Sequence, residues 1–164
     1  MPIPTPEPGL VISYAYLWHH EHLAGADEGR KDRPAVVTLV TAPADGDGVE
    51  VTVLPITHRP PDNPDWAVEI PPPVKRHLGL DDARSWIVIA EGNDFLWPGY
   101  DLRKAPGADR YDYGFLPPRF FAQGDCGVRP AARHWQGPPH PARVKGYPMS
   151  GPWRPASASI SSAP

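Results

Sequence analysis

Apolar residues in this chain come in short runs of strand length rather than in helical stripes. Leu10 to Leu17 is apolar, β-branched or aromatic except at Ser13, and Gly9 opens it, so it predicts a strand. Pro34 opens a second continuous run, Ala35-Val36-Val37-Thr38-Leu39-Val40. Asp45-Gly46-Asp47-Gly48 carries the residues of a hairpin turn. After it, Val49, Val51 and Val53 alternate with Glu50 and Thr52, the period of a strand with one buried face. Trp66 to Ile70 reads as a short strand stopped by Pro71-Pro72-Pro73. Val74 to Leu80 reads as one or two helical turns, with Pro73 at a first helical position and Gly79 near the end. Ser85 to Ala90 is another apolar strand, and Phe95 to Tyr100 a shorter one broken at Pro98-Gly99. Pro117-Pro118 before Arg119-Phe120-Phe121 starts a short helix. Five or six short strands with little helix predict a mainly β fold, a small and strongly curved barrel.

Composition sharpens the domain limits. Proline (25) and glycine (15) make up 40 of 164 residues, which excludes a long helical bundle because each proline blocks a helix interior. Residues 1–8 carry proline at 2, 4, 6 and 8 and read as a disordered, extended arm. Residues 9–122 hold nearly all the core signal and form the single expected domain. In residues 123–164 the only Ile, Leu, Val, Met or Phe are Val128, Val144, Met149 and Ile160, so this Pro/Gly/Arg-rich tail is expected to be disordered. The single cysteine, Cys126, excludes an internal disulfide and a thiolate cluster, and a reducing cytoplasm is the default location. No apolar run is long enough to span a bilayer, and no basic region precedes Leu10 as in a signal peptide, so no membrane partner is expected.

Charge is unevenly spread. Residues 1–122 contain 11 basic and 18 acidic residues, a balance of −7, and residues 123–164 contain five basic and one acidic, a balance of +4. A basic field over the whole domain is therefore absent, and any phosphate contact must come from a local group.

Three places carry candidate chemistry. Trp18-His19-His20-Glu21-His22 clusters imidazoles without the spacing that converges ligands on a metal. It reads as a solvated loop with no metal, with a role for one histidine as a proton carrier left open. In Glu28-Gly29-Arg30-Lys31-Asp32-Arg33-Pro34, Arg33 is fixed by Pro34 at a strand mouth, where a guanidinium can hold a phosphate bidentately or else pair with Asp32 or Glu28. Leu54-Pro55-Ile56-Thr57-His58-Arg59 ends a core strand with a hydroxyl, an imidazole and a guanidinium, either a strand-end site or a polar turn into Pro60-Pro61.

The order of these segments resembles a known family. Pro8-Gly9-Leu10-Val11-Ile12, Glu28 through Arg33-Pro34-Ala35-Val36-Val37, and Val53-Leu54-Pro55-Ile56-Thr57 look like the MazF/PemK toxins of bacterial toxin–antitoxin pairs. The later segments Ala67-Val68-Glu69-Ile70 and Ser85 to Glu91 are similar to that family's later strands. Lys75 to Leu80 and Trp97-Pro98-Gly99-Tyr100-Asp101-Leu102 are closest to a PemK-like branch, and the likeness covers about residues 8–122. The resemblance implies an SH3-like barrel, a homodimer neutralised by a cognate antitoxin protein, and a cofactor-free, metal-independent endoribonuclease acting on single-stranded RNA. It places active-site roles on Arg33, Thr57 and Glu28, with Glu28, His58 and His20 as candidate bases in that order. Arg59, His20, Asn93 and Asp94 are the expected substrate-binding residues, with Asp94 a further candidate base. A second class stays open, an inactive barrel of the same kind serving as a protein-binding module.

Overall fold

The computed structural model describes residues 2–26, 29, 31–42 and 48–122, and the backbone of Ala142 and Arg143. Its strands are β1 (Leu10–Ala15), β2 (Asp32–Thr41), β3 (Glu50–Thr57), β4 (Ala67–Glu69), β5 (Trp86–Val88), β6 (Asn93–Leu96), β7 (Leu102–Arg103), β8 (Asp112–Phe115) and β9 (Ala142–Arg143). Three short helices join them: α1 (His19–Leu23), α2 (Pro72–Leu78) and α3 (Pro118–Ala122). The fold is mainly β, with eight strands paired antiparallel and β9 lying parallel on β6.

The centre is the antiparallel trio β1–β2–β3. The outer edge of β1 is shared by β8 and β7, and that of β3 by β6 and β5, with β4 beyond β5. Among the described residues these pairings do not close into a ring. The expected closed barrel is thus corrected to an open sheet whose ends β4 and β7 are not joined. Both are only two or three residues long, too short to extend a ladder.

The continuous apolar runs are explained by burial on both faces. Strand alternation sends Val11, Val36, Leu54 and Ile56 into one cluster with Ile87 of β5, Val74 and Leu78 of α2, and Phe121 of α3. It sends Ile12, Tyr14, Ala35, Val37, Val51 and Val53 into another, closed by Phe95 and Leu102. Tyr14 stacks on Phe95 with ring centroids 4.8 Å apart, a pair worth about 0.5–1.5 kcal/mol beyond its buried area.

The helix α2 begins on its proline run and stops where Gly79 takes a left-handed φ of 67°. The expected strand at Trp66 is a 3-10 turn, Pro64–Trp66, before β4. The Trp18–His22 segment, expected as a loop, holds the single turn α1, and Glu21 accepts the Trp18 backbone N–H at 3.3 Å. The strands β7 and β8 carry too few apolar residues to show in the pattern. The turn expected at 45–48 lies outside the described residues apart from Gly48, as does the expected disordered tail apart from Ala142 and Arg143. Within the proline arm, the described residues 2–8 are exposed or half-buried and none is a strand or helix.

Candidate active site

Cross-strand register brings together residues far apart in the chain. Arg33 of β2 sits opposite Tyr14 of β1, on the face that carries Ala35 and Val37. The β2–β3 pairing ends at Ala35↔Pro55; Thr57, two residues further along β3, follows the same alternation as Val53 and pairs with Trp86 of β5. Asn93 of β6 lies opposite Val53, again on that face. Arg33 and Asn93 are therefore polar positions on a face otherwise lined by the second apolar cluster, and Thr57 follows the same alternation on β3.

Arg33 does not pair with Asp32, which turns to Arg103 at 3.7 Å. Its guanidinium carbon instead lies 5.0 Å from the centroid of the Trp18 ring, a cation–π contact worth about 0.5–2 kcal/mol. The Arg33 Nε is buried and has no hydrogen-bond partner among the described residues. Burial lowers the Arg33 pKa, and the Glu21 carboxylate opposes that effect. A half-buried cation whose donor has no partner among the described residues is suited to an anion that brings its own acceptors.

Sequence reasoning missed Glu91, which lies in the short link between β5 and β6. Its Oε1 accepts the Tyr16 hydroxyl and the His19 backbone N–H, each at 3.3 Å. Burial raises the Glu91 pKa above the ordinary glutamate value, although those hydrogen bonds and the nearby His19 and His20 work against the shift. Burial also pushes the Tyr16 hydroxyl well above its ordinary value, so Tyr16 stays a donor to Glu91. Because Glu91 stands next to Gly92 outside any strand, only the fold shows that it reaches the end of β1. The one available signal was its place directly after an apolar strand.

Asn93 belongs to the site's frame. It was expected as a substrate-binding residue, and the structure places it at 2 % exposed. With its amide turned to the orientation that satisfies both of its groups, the nitrogen donates to Leu17 O at 3.1 Å and Gly92 O at 3.3 Å, and the oxygen accepts from Leu17 N–H at 3.2 Å. Asn93 thus grips the backbone one residue before Trp18, on which Arg33 rests. Asn93→Ala leaves both Leu17 groups without that partner and is expected to lower stability by about 1–3 kcal/mol, measured by urea unfolding. Gly29 adds a second constraint, because a Cβ there would lie 2.4 Å from Tyr16 O and 2.5 Å from Ala15 O. The segment before β2 can cross the end of β1 only without a side chain at that position.

His20 is exposed and its ring stacks near Trp18, with centroids 6.3 Å apart. Thr57 is half-buried and its Oγ1 accepts the Arg59 N–H at 3.2 Å. Glu28 lies outside the described residues. Arg59 projects into solvent beside Asp62 at 3.6 Å. Asp94 accepts the Thr52 hydroxyl at 2.6 Å, and its alternation in β6 turns it away from Asn93.

His58 joins a different group, so the structure does not bring this candidate base to Arg33. Its Nε2 lies 3.0 Å from Asp81 Oδ2, and its Nδ1 lies 3.0 Å from Arg84 O and 3.1 Å from Ser85 Oγ. Asp81 Oδ1 also accepts from Lys75 Nζ and from the Ala83 N–H, each at 3.1 Å, while Lys75 Nζ also donates to Ala83 O. Ser85 is 1 % exposed and Lys75 4 % exposed, so this cluster closes a loop over a buried cation and offers no open nucleophile.

Burial alone would raise the Asp81 pKa, but the Lys75 hydrogen bond and the His58 and Lys75 charges outweigh it and hold the carboxyl below its ordinary value. A depressed carboxylate adds stability that is present above the unfolded pKa and lost as pH falls through the folded one. Asp81→Asn is therefore expected to cost about 1–2 kcal/mol at pH 7, at the lower end for a charged hydrogen bond because the carboxylate is well exposed. Urea midpoints of the two proteins should converge as the pH drops below 3.8, the ordinary aspartate value.

Among the described residues, no three His, Cys, Asp or Glu side chains are grouped to hold a metal ion, and no helix is long and apolar enough to cross a membrane. No family model, no curated protein and no solved structure matches this chain.

Proposed function

We propose that the chain is a toxin-like endoribonuclease that cleaves single-stranded RNA by attack of the ribose 2′-hydroxyl on the adjacent phosphate. The observation that carries this reading is Arg33, a cation held on the Trp18 ring, whose buried Nε donor has no partner among the described residues, in the same end of the fold as Glu91. The motif order around Arg33 and Thr57 that resembles the MazF/PemK toxins agrees with it. A relationship to those toxins, a homodimer and neutralisation by an antitoxin protein form part of the same proposal.

Cleavage by the 2′-oxygen requires a base, a cation for the phosphorane, and an acid for the departing 5′-oxygen. Glu91 takes the 2′-hydroxyl proton, and its raised pKa makes it a stronger base than an exposed glutamate. The new bond joins O2′ to phosphorus as the bond from phosphorus to O5′ breaks. Arg33 holds the non-bridging oxygens as negative charge gathers on them, and Thr57 hydrogen-bonds one of them. His20, exposed over Trp18 and near enough to Glu91 to feel its charge, returns a proton to O5′. The products are a 2′,3′-cyclic phosphate and a 5′-hydroxyl.

The test is incubation of the purified full chain with single-stranded RNA in the presence of EDTA. Cleavage leaving those two ends, and growth arrest on induced expression, are the expected results. RNA that stays intact with and without divalent metal overturns the proposal.

A further inference from the structure

Where β3, β5 and β4 lie side by side, one face of the sheet packs on the core. Ile56, Ile87 and Val68 are on that side, in or against the first apolar cluster. Their chain neighbours Thr57, Trp86 and Glu69 face the other way, and the register sets these three in one row, with Trp86 opposite both Thr57 and Glu69. Trp86 belongs to neither apolar cluster of the described residues, yet it is only 7 % exposed. Arg84 lies over it, with its guanidinium carbon 5.0 Å from the ring centroid.

Arg84 is held from two directions. The indole ring lies under it, and its Nε and Nη2 donate to the two carboxylate oxygens of Glu69 at 2.7 and 2.8 Å. Its side chain is nonetheless 71 % exposed. A guanidinium fixed in this way is poorly suited to a phosphate, because Glu69 offsets its charge and occupies two of its nitrogens. What it presents to solvent is a flat, weakly hydrated face, the kind of surface on which an unstacked nucleobase lies.

Its place fits the path of an RNA strand. Directly opposed residues in antiparallel strands have Cβ atoms about 4.5–5.5 Å apart, so Thr57 and Trp86 are neighbours on the outward face. The Arg84 carbonyl oxygen is also 3.0 Å from Nδ1 of His58, the residue after Thr57. A strand whose phosphate is bound at Thr57 therefore carries an adjacent base to Arg84.

We propose that Arg84, backed by Trp86 and clamped by Glu69, is a stacking platform for a nucleobase of single-stranded RNA beside the phosphate bound at Thr57. It is a positioning residue. The assignment rests on the RNA-cleavage reading for its ligand, but it concerns binding and needs no reaction.

Fluorescence anisotropy on the full chain tests it. The probes are a fluorescein-labelled decamer of 2′-fluoroadenosine, which lacks the attacking hydroxyl, and the same backbone without bases. Arg84→Ala and Arg84→Lys are each expected to weaken binding of the adenosine decamer by about five- to hundredfold, the range for one lost base stack. Binding of the base-free backbone is expected to be the same in all three proteins. Arg84→Lys keeps a cation to pair with Glu69 but has no plane, and it carries the test should Arg84→Ala lose stability. Parental affinity in Arg84→Lys overturns the platform, since charge alone then suffices. So does an unaltered chain that binds both decamers equally, or binds neither. Intact RNA in the cleavage assay together with Arg84-dependent binding removes the cleavage reading and leaves the platform standing. Normal cleavage with no Arg84-dependent binding removes the platform alone.

Discussion

Arg33→Ala is expected to reduce RNA cleavage by roughly 10²–10³-fold, by analogy with the loss of one preorganised oxyanion donor, while the sheet stays folded. The stability cost is expected to be small, because the described partner of the guanidinium is the Trp18 ring, a contact worth about 0.5–2 kcal/mol. Arg33→Lys should recover only part of the rate. A lysine places one charge near the phosphate but lacks the planar fork that meets two oxygens at once. The comparison needs initial rates on one RNA and a far-ultraviolet spectrum of each variant. A folded Arg33→Ala protein that cleaves at the normal rate removes Arg33 from the reaction. An unfolded one shows that its role is structural.

For Glu91→Gln the expected loss is about 10²–10⁴-fold, the range of a lost general base. The fold should tolerate the change well. A glutamine oxygen can still accept from the Tyr16 hydroxyl and the His19 N–H. Burial has already raised the pKa of the native carboxyl, so the charged form is disfavoured in the folded state. A group raised in this way contributes stability below its unfolded pKa and loses it as the pH rises through the folded value. The variant should therefore be as stable as the parent at pH 7, or more so. The native rate should rise with pH on a limb displaced above 4.5, the ordinary glutamate value, and the variant should lack that limb. Loss of activity together with loss of stability at neutral pH would mean that Glu91 only holds α1 in place.

Much of the fold was legible because its cues are local. The runs at Leu10 and Ala35, the alternation at Val51 and Val53, and the proline-opened helix ended by Gly79 all appear near their expected positions. Each rests on side-chain period or on a backbone restriction that neighbouring residues impose. The short strands β7 and β8 were not legible, since two to four residues are stabilised by the strand beside them rather than by their own composition.

The site divides in the same way. Arg33 and Thr57 stood out as polar residues at the ends of apolar strands, and each follows the alternation of its own strand. His58 stood out by the same cue, but adjacent residues in a strand face opposite ways, and its partners are Asp81, Arg84 and Ser85. The roles of Glu91 and Asn93 were not legible locally, because their partners are Tyr16, His19 and Leu17, more than seventy residues away.

The sequence by itself determined the class of fold, the core strands and their alternating faces, since these follow from residue type and spacing. Only the tertiary structure decided which face each strand-end group shares with which other, that the sheet stays open, and that β9 seats on β6. Those outcomes depend on register and burial between distant segments. Burial also sets the shifted proton affinities of Arg33 and Glu91, which no neighbouring residue in the chain specifies.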